Sequence, residues 1–312
     1  MENIMTVRKL TKSFKDNKVL NAIDFDVKTG EILCILGPNG AGKSTTINIL
    51  TAALSSDQGV IEFKGKPIER QLKEYKGSIG VVPQDLSLYE ELSAESNLRF
   101  FASLYGLKGK RLSSAVEQAL IFAGLESRKA DKVKTFSGGM KRRLNIACAI
   151  AHKPSLVIMD EPTVGIDPQS RNHILTSILK LRQEGMTVIY TTHYMEEVET
   201  ISSRIIIMDH GTIIANGTKE SLKEDIQNEK RYLIETENLI VTAADDIFGI
   251  EGIKKVLIKE NHMEITSLKN IENLDRIISE LSDRGDRITS ITTEAASLET
   301  VFLKLTGRKL RD

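Results

Sequence analysis

No apolar run in this 312-residue sequence approaches the roughly 20 residues that a bilayer-spanning helix needs, and the first residues hold no apolar signal-peptide core. The expectation is a soluble chain, for which any membrane role requires a separate spanning partner. An excess of one charge is missing too, because 43 basic and 43 acidic residues cancel. That removes the argument for a protein held to nucleic acid by its overall field. Cysteine is scarce. Cys34 and Cys148 both lie among apolar neighbours without metal-ligand spacing, and they read as reduced core residues of a cytosolic protein. Low-complexity stretches and short-period repeats are also lacking.

What the sequence does hold is a series of phosphate-handling patterns. Gly37-Pro38-Asn39-Gly40-Ala41-Gly42-Lys43-Ser44-Thr45 follows an apolar run over 31–36 and precedes a helical pattern over 45–54. An anion cradle needs backbone N–H groups curled around the phosphates and a helix N-terminus aimed at them. Gly37, Gly40 and Gly42 permit that close approach. Lys43 supplies a positive charge for the β- and γ-phosphates, and Ser44 a hydroxyl for Mg²⁺. Downstream, the apolar strand pattern of residues 156–159 ends in Asp160-Glu161. Asp160 suits Mg²⁺ as a hard oxygen donor, and Glu161 suits a general base for water attacking the γ-phosphate. Between the two, Ser137-Gly138-Gly139 opens a basic helix, with Ser137 as N-cap and glycines that again admit an anion. A lone Ser-Gly-Gly is more often a capped turn, and a lone Asp-Glu pair a solvated one. Their order in one chain is what gives them weight.

In that order the motifs resemble those of ATP-binding cassette (ABC) ATPases. The likeness implies an α/β P-loop fold with a mostly parallel core sheet, an antiparallel β group and a helical subdomain. It adds Asn39, Ala41 and Thr45 to the ATP-contacting loop. Phe136 and Met140 depart from the family's usual Leu and Gln but leave Ser137, Gly138 and Gly139 intact. The resemblance implies that these three contact ATP held by the opposite protomer, in a head-to-tail pair around two ATP molecules. One chain would then be an incomplete enzyme. By the same likeness Gln84 is the Q-loop glutamine, joining Ser44 and Asp160 at Mg²⁺ and linking the site to a transmembrane partner. His193 is the switch histidine on the γ-phosphate, Asp167 the D-loop acid, and Phe14 the aromatic that stacks on adenine. Alone, a Gln, His or Phe carries little. The histidines at 152, 173, 210 and 262 lack comparable context and read as structural.

Residues 137–144, 161–171, 191–197 and 297–307 are similar to the ATP-binding subunits of antibiotic-resistance and multidrug exporters. The implied function is an ATP-hydrolysing exporter subunit, peripheral on the inner face of the cell membrane. Its partners would be a separately encoded permease and a second cassette, either itself or a paralogue, and no nucleic acid is expected. Two other classes compete: non-transport ABC ATPases of translation or DNA repair, and regulatory ATP-binding modules. The coiled-coil or zinc insertions of repair members and the second cassette of translation members are absent here, and intact Glu161 and His193 weigh against a binding-only module.

Organisation follows the same lines. Residues 1–228 read as the cassette, with a helical subdomain over about 86–152. Residues 229–312 read as a small α+β appendage of split β-α-β type, for regulation or dimer contact, with an amphipathic helix over 273–284 and a hairpin around Asn261.

Overall fold

The computed structural model describes residues 2–226, 229–237, 243–259, 262–294 and 297–307. Two compact units divide the chain, Met1–Lys219 and Glu220–Lys309. The first begins with strands β1 (Asn3–Phe14), β2 (Asn17–Lys28) and β3 (Ile32–Leu36), then helix α1 (Lys43–Leu50), β4 (Gln58–Phe63) and β5 (Lys66–Pro67). Helix α2 (Leu72–Ser78) and strand β6 (Ile79–Val82) lead into three helices, α3 (Ala94–Leu104), α4 (Gly109–Ala123) and α5 (Gly138–Ile150). Strand β7 (Leu156–Asp160), helix α6 (Pro168–Gln183), strand β8 (Thr187–Thr192), helix α7 (Met195–Ile201), strand β9 (Arg204–Asp209) and strand β10 (Thr212–Gly217) complete it.

Two sheets organise these strands. An antiparallel sheet runs β2-β1-β4-β5, and a six-stranded sheet runs β10-β9-β3-β8-β7-β6 with only its β9–β10 pair antiparallel. Strands β3, β7 and β8 are buried along their whole length, which explains why β3 and β7 up to Met159 read as apolar runs and not as alternating ones. Parallel register brings their carboxyl ends to one edge: Leu36 pairs with Thr192, Asp160 with Thr191, and Val82 with Met159. Every loop that follows one of these strands therefore opens on the same crevice, where α/β sheets bind ligands.

Helices α3, α4 and α5 form their own core from Leu98, Ala102, Val116, Leu120, Leu144 and Cys148. Phe136 belongs to that core, with the Arg128 guanidinium 5.5 Å from its ring centre, and Met140 packs against it. The two departures from the family pattern are thus packing residues. Cys34 lies in the central sheet, and burial pushes both thiols well above their ordinary range. His152 stacks flat on Tyr105 at 3.5 Å, and burial holds its imidazole down at about 4. It is a neutral packing group at pH 7, as expected.

The second unit contains α8 (Lys219–Ile226, whose first residue belongs to the other unit), β11 (Glu229–Thr236), α9 (Ala243–Phe248), β12 (Ile253–Lys259), β13 (His262–Leu268), α10 (Leu274–Asp283), β14 (Ile288–Glu294) and α11 (Leu298–Thr306). Its antiparallel sheet runs β12-β13-β11-β14, a β-α-β-β-α-β arrangement over a core of Tyr232, Ile234, Met263, Ile265, Ile277 and Leu281. The amphipathic helix expected over 273–284 is α10, with Ile277 and Leu281 inward. Asn261, the expected hairpin tip, lies outside the described residues. Among the described residues no helix is long and apolar enough to cross a membrane.

Candidate nucleotide site

The loop between β3 and α1 has little room for side chains. A Cβ on Gly37 would lie 2.4 Å from the Met208 carbonyl oxygen, and one on Gly42 2.7 Å from Leu20. Gly42 also sits at φ +102°, a conformation that costs glycine nothing, immediately before the first residue of α1. Lys43 begins the helix with its ammonium buried, donating to the carbonyls of Gly37 at 2.8 Å and Pro38 at 3.1 Å. Asn39, Gly40 and Ser44 are exposed, Ala41 is buried, and Thr45 is half-buried.

The strand β7 delivers Asp160 and Glu161 to the same edge. Glu161 turns at φ +44°, just past the strand end, and its amide donates to the Thr191 hydroxyl at 3.0 Å. That hydroxyl in turn donates to Asp160 Oδ1 at 2.7 Å. Glu161 is a bridge. One carboxylate oxygen lies 3.1 Å from Lys43 Nζ and the other 3.1 Å from His193 Nδ1. Both side chains of the Lys43 pair are at least nine-tenths buried, so their charges interact with far less screening than a surface pair. Three of the residues singled out in the sequence are therefore joined through Glu161, by contacts that span 118 and 32 positions.

The remaining residues singled out in the sequence lie on other segments and share none of the contacts described for this centre. Gln84 follows the carboxyl end of β6, with its side chain exposed. Ser137 caps α5, its hydroxyl accepting from Met140 N at 3.3 Å, and Ser137 and Gly138 are exposed. Gly139 cannot carry a Cβ, which would fall 2.1 Å from Ser170 Oγ, and so the first turn of α5 lies against the start of α6. Asp167 caps α6 by accepting from Ser170 N at 2.9 Å, and that bond holds its exposed carboxyl below the usual range. The contacts of Lys43, Asp160 and Glu161 named above do not include Ser137, Gly138 or Gly139. Phe14 is exposed at the end of β1, with Lys12 Nζ 5.7 Å from its ring centre.

Several residues at this edge were not singled out from the sequence. Thr191 orients Asp160 and Glu161. Arg142, inside the basic run of α5, turns inward and donates to the carbonyls of Pro83 at 3.0 Å and Gln84 at 2.6 Å. Glu197 accepts three hydroxyl hydrogen bonds beneath His193. The only sequence signal was placement beside a motif. Among the described residues no three His, Cys, Asp or Glu side chains gather into a metal site of their own. Hard oxygen donors on Ser44, Asp160 and Gln84 instead fit Mg²⁺, which takes few protein ligands and relies on substrate phosphates and water.

The chain is similar to several known proteins. Residues 20–164 match the ABC transporter family. A linearmycin resistance ATP-binding protein of Bacillus subtilis is 39% identical, the alignment covering 99% of this chain and all of the relative. A Nod factor export ATP-binding protein of Cupriavidus metallidurans is 34% identical, with both chains covered completely. An ATP-binding cassette solved as a dimer in a post-hydrolysis state with ADP and phosphate superposes with a TM-score of 0.63 at 25% identity, over 69% of this chain and 98% of that one.

Proposed function

This chain belongs to the ATP-binding subunits of ABC transporters, and on that premise we infer that it is the ATP-hydrolysing subunit of an exporter. Family membership carries ATP binding and hydrolysis. The named roles of the two relatives, linearmycin resistance and Nod factor export, support transport out of the cell. The observation that carries the site assignment is the Glu161 carboxylate bridging Lys43 and His193.

A γ-phosphate arriving at Lys43 competes with Glu161 for the ammonium, whose other two partners are backbone carbonyls. Glu161 is then free to accept a proton from the attacking water, while His193 holds a γ-phosphate oxygen. Ser44, Asp160 and Gln84 would hold Mg²⁺, which neutralises charge on the β- and γ-phosphates. Phe14 offers an exposed face for adenine. Asn39, Gly40, Ala41, Gly42 and Thr45 line the phosphate turn, and Ser137, Gly138, Gly139 and Asp167 serve the ATP of a second cassette. Lys43→Ala tests the cradle directly. A charge-assisted hydrogen bond is worth about 1.5–3 kcal/mol, so ATP affinity should fall at least about tenfold in a binding titration. Unchanged affinity would remove Lys43 from the phosphate site.

The partner is a separately encoded permease that holds the chain at the inner face of the membrane. Leu86, Tyr89, Phe100 and Leu104 are exposed on and before α3, and Tyr89 meets Phe100 edge-on at 4.9 Å. Apolar groups left in water at that density support a docking surface on the helical subdomain. Tyr89→Asp should lower recovery of the chain with permease-containing membranes while leaving ATP affinity unchanged. Equal recovery would move the docking surface elsewhere. Residues 229–312 carry no nucleotide motif, and we assign them to regulation or dimer contact.

A further inference from the structure

The stretch Thr191–Glu197 contributes His193 to the site, and its one fully buried carboxylate is Glu197 on α7, whose exposure is 0%. Its Oε1 accepts from Thr163 Oγ1 at 2.5 Å, two residues beyond Glu161. Its Oε2 accepts from Tyr190 OH at 2.9 Å and from Thr192 Oγ1 at 2.7 Å, both on β8. Thr192 Oγ1 also accepts from Tyr194 N at 2.9 Å, so the backbone on both sides of His193 is tied to this one carboxylate. From α6, Arg171 brings Nε within 3.6 Å of Oε1, and its guanidinium lies 4.7 Å from the centre of the Tyr194 ring. A carboxylate this deep is costly to bury. A side chain needed only to fill space would be apolar here.

We propose that Glu197 is a positioning residue for hydrolysis: by gathering hydroxyls from the segment after Glu161 and from both sides of the His193 turn, it sets the contact between His193 and Glu161. The inference rests on the site reading given above. It acts through geometry, since Glu197 reaches neither Lys43 nor Asp160 in any contact described, and both of its oxygens are already taken by hydroxyl donors. An amide at this position offers one acceptor atom in place of two, and an N–H₂ that faces hydroxyl groups already committed as donors. The His193 turn then loses its anchor while the phosphate loop, which follows β3, keeps its own bonds.

The test uses the full chain and steady-state ATPase kinetics. Glu197→Gln should lower kcat by about 10- to 100-fold, the scale of a small misplacement of reacting groups, with the KM for ATP unchanged within about twofold. Thr192→Val, which keeps shape and removes one of the hydroxyls, should lower kcat with the same signature. Adding Glu197→Gln to Thr192→Val should cost much less than the product of the two single effects. A kcat per folded chain equal to wild type in Glu197→Gln, even with a lowered melting temperature, would overturn the proposal, and so would fully multiplicative effects in the double variant. If Glu197→Gln does not fold, wild-type kcat in Thr192→Val overturns it equally. Glu161→Gln and His193→Ala run as controls separate the two levels. If they retain kcat, the site reading fails. If they lose it while Glu197→Gln does not, only the positioning role fails.

Discussion

Glu161→Gln should reduce ATP turnover by about a hundredfold or more while ATP binding stays as tight as in the wild type or becomes tighter. The expectation comes from the two contacts of the carboxylate. The amide is nearly isosteric and keeps the side chain in its buried place, but it cannot take a proton from water. It also removes the negative charge 3.1 Å from Lys43 Nζ, so the ammonium has no charged competitor when phosphate arrives. Loss of kcat with unchanged Kd is the signature of a group that acts on the transition state alone, and a lowered Kd would add its ground-state competition with phosphate for Lys43. An ATP-bound pair of chains should then accumulate and be visible as a species of twice the mass by size-exclusion chromatography with ATP and Mg²⁺. Wild-type turnover would take Glu161 out of the chemistry.

Ser137→Arg should abolish cooperative hydrolysis, by tenfold or more, without weakening ATP binding to the single chain. Ser137 caps α5 with an exposed hydroxyl and takes no part in the contacts of Lys43, Asp160 or Glu161. The substitution removes an N-cap, worth about 1 kcal/mol, and the helix keeps its packing through Leu144, Ala147 and Cys148. The cost should therefore appear only when a second cassette closes on this surface and an arginine stands where a γ-phosphate must fit. Rates measured against protein concentration separate the effects. Normal hydrolysis at saturating protein and ATP would contradict the shared site, while weakened binding by the isolated chain would place Ser137 in its own phosphate cradle.

The parts of the fold and the site that could be read from the sequence are those encoded locally. Unbroken apolar runs marked β3 and β7 because both faces of those strands are covered, and the glycine spacing marked the phosphate turn because a Cβ at Gly37 or Gly42 has nowhere to go. The sheet order and the parallel register that brings Lys43, Glu161 and His193 together are set by pairing between distant segments. Of this the family resemblance implied only a mostly parallel core sheet and the roles of these residues, and the order and register come from the pairing itself. Arg142 shows where local reading runs out. In the run Lys141-Arg142-Arg143 it looks like part of a basic helix face, yet Lys141 is largely covered and pairs with Glu90 at 2.5 Å, while Arg142 turns to carbonyls 58 and 59 positions away. Glu197 carries no local signal, because a glutamate on a short helix gives no sign that three hydroxyls converge on it. In the second unit the alternation of strand and helix was visible, and the strand order β12-β13-β11-β14 came only from the pairing.

The central claim is that one chain's phosphate loop, Glu161 and His193 work together with another chain's Ser137 and glycines. Mixing two inactive full-length variants, Glu161→Gln and Ser137→Arg, tests it most directly. In a mixed pair, the Ser137→Arg chain supplies an intact Lys43, Glu161 and His193, and the Glu161→Gln chain supplies an intact signature facing them. One complete site is thereby rebuilt. The account predicts that ATPase activity, near zero for each variant alone, rises on mixing to a maximum near equal proportions and stays well below wild type, since the other site in that pair carries both lesions. Activity that remains at the sum of the two separate variants at every ratio, with mixed pairs demonstrably formed, would contradict it.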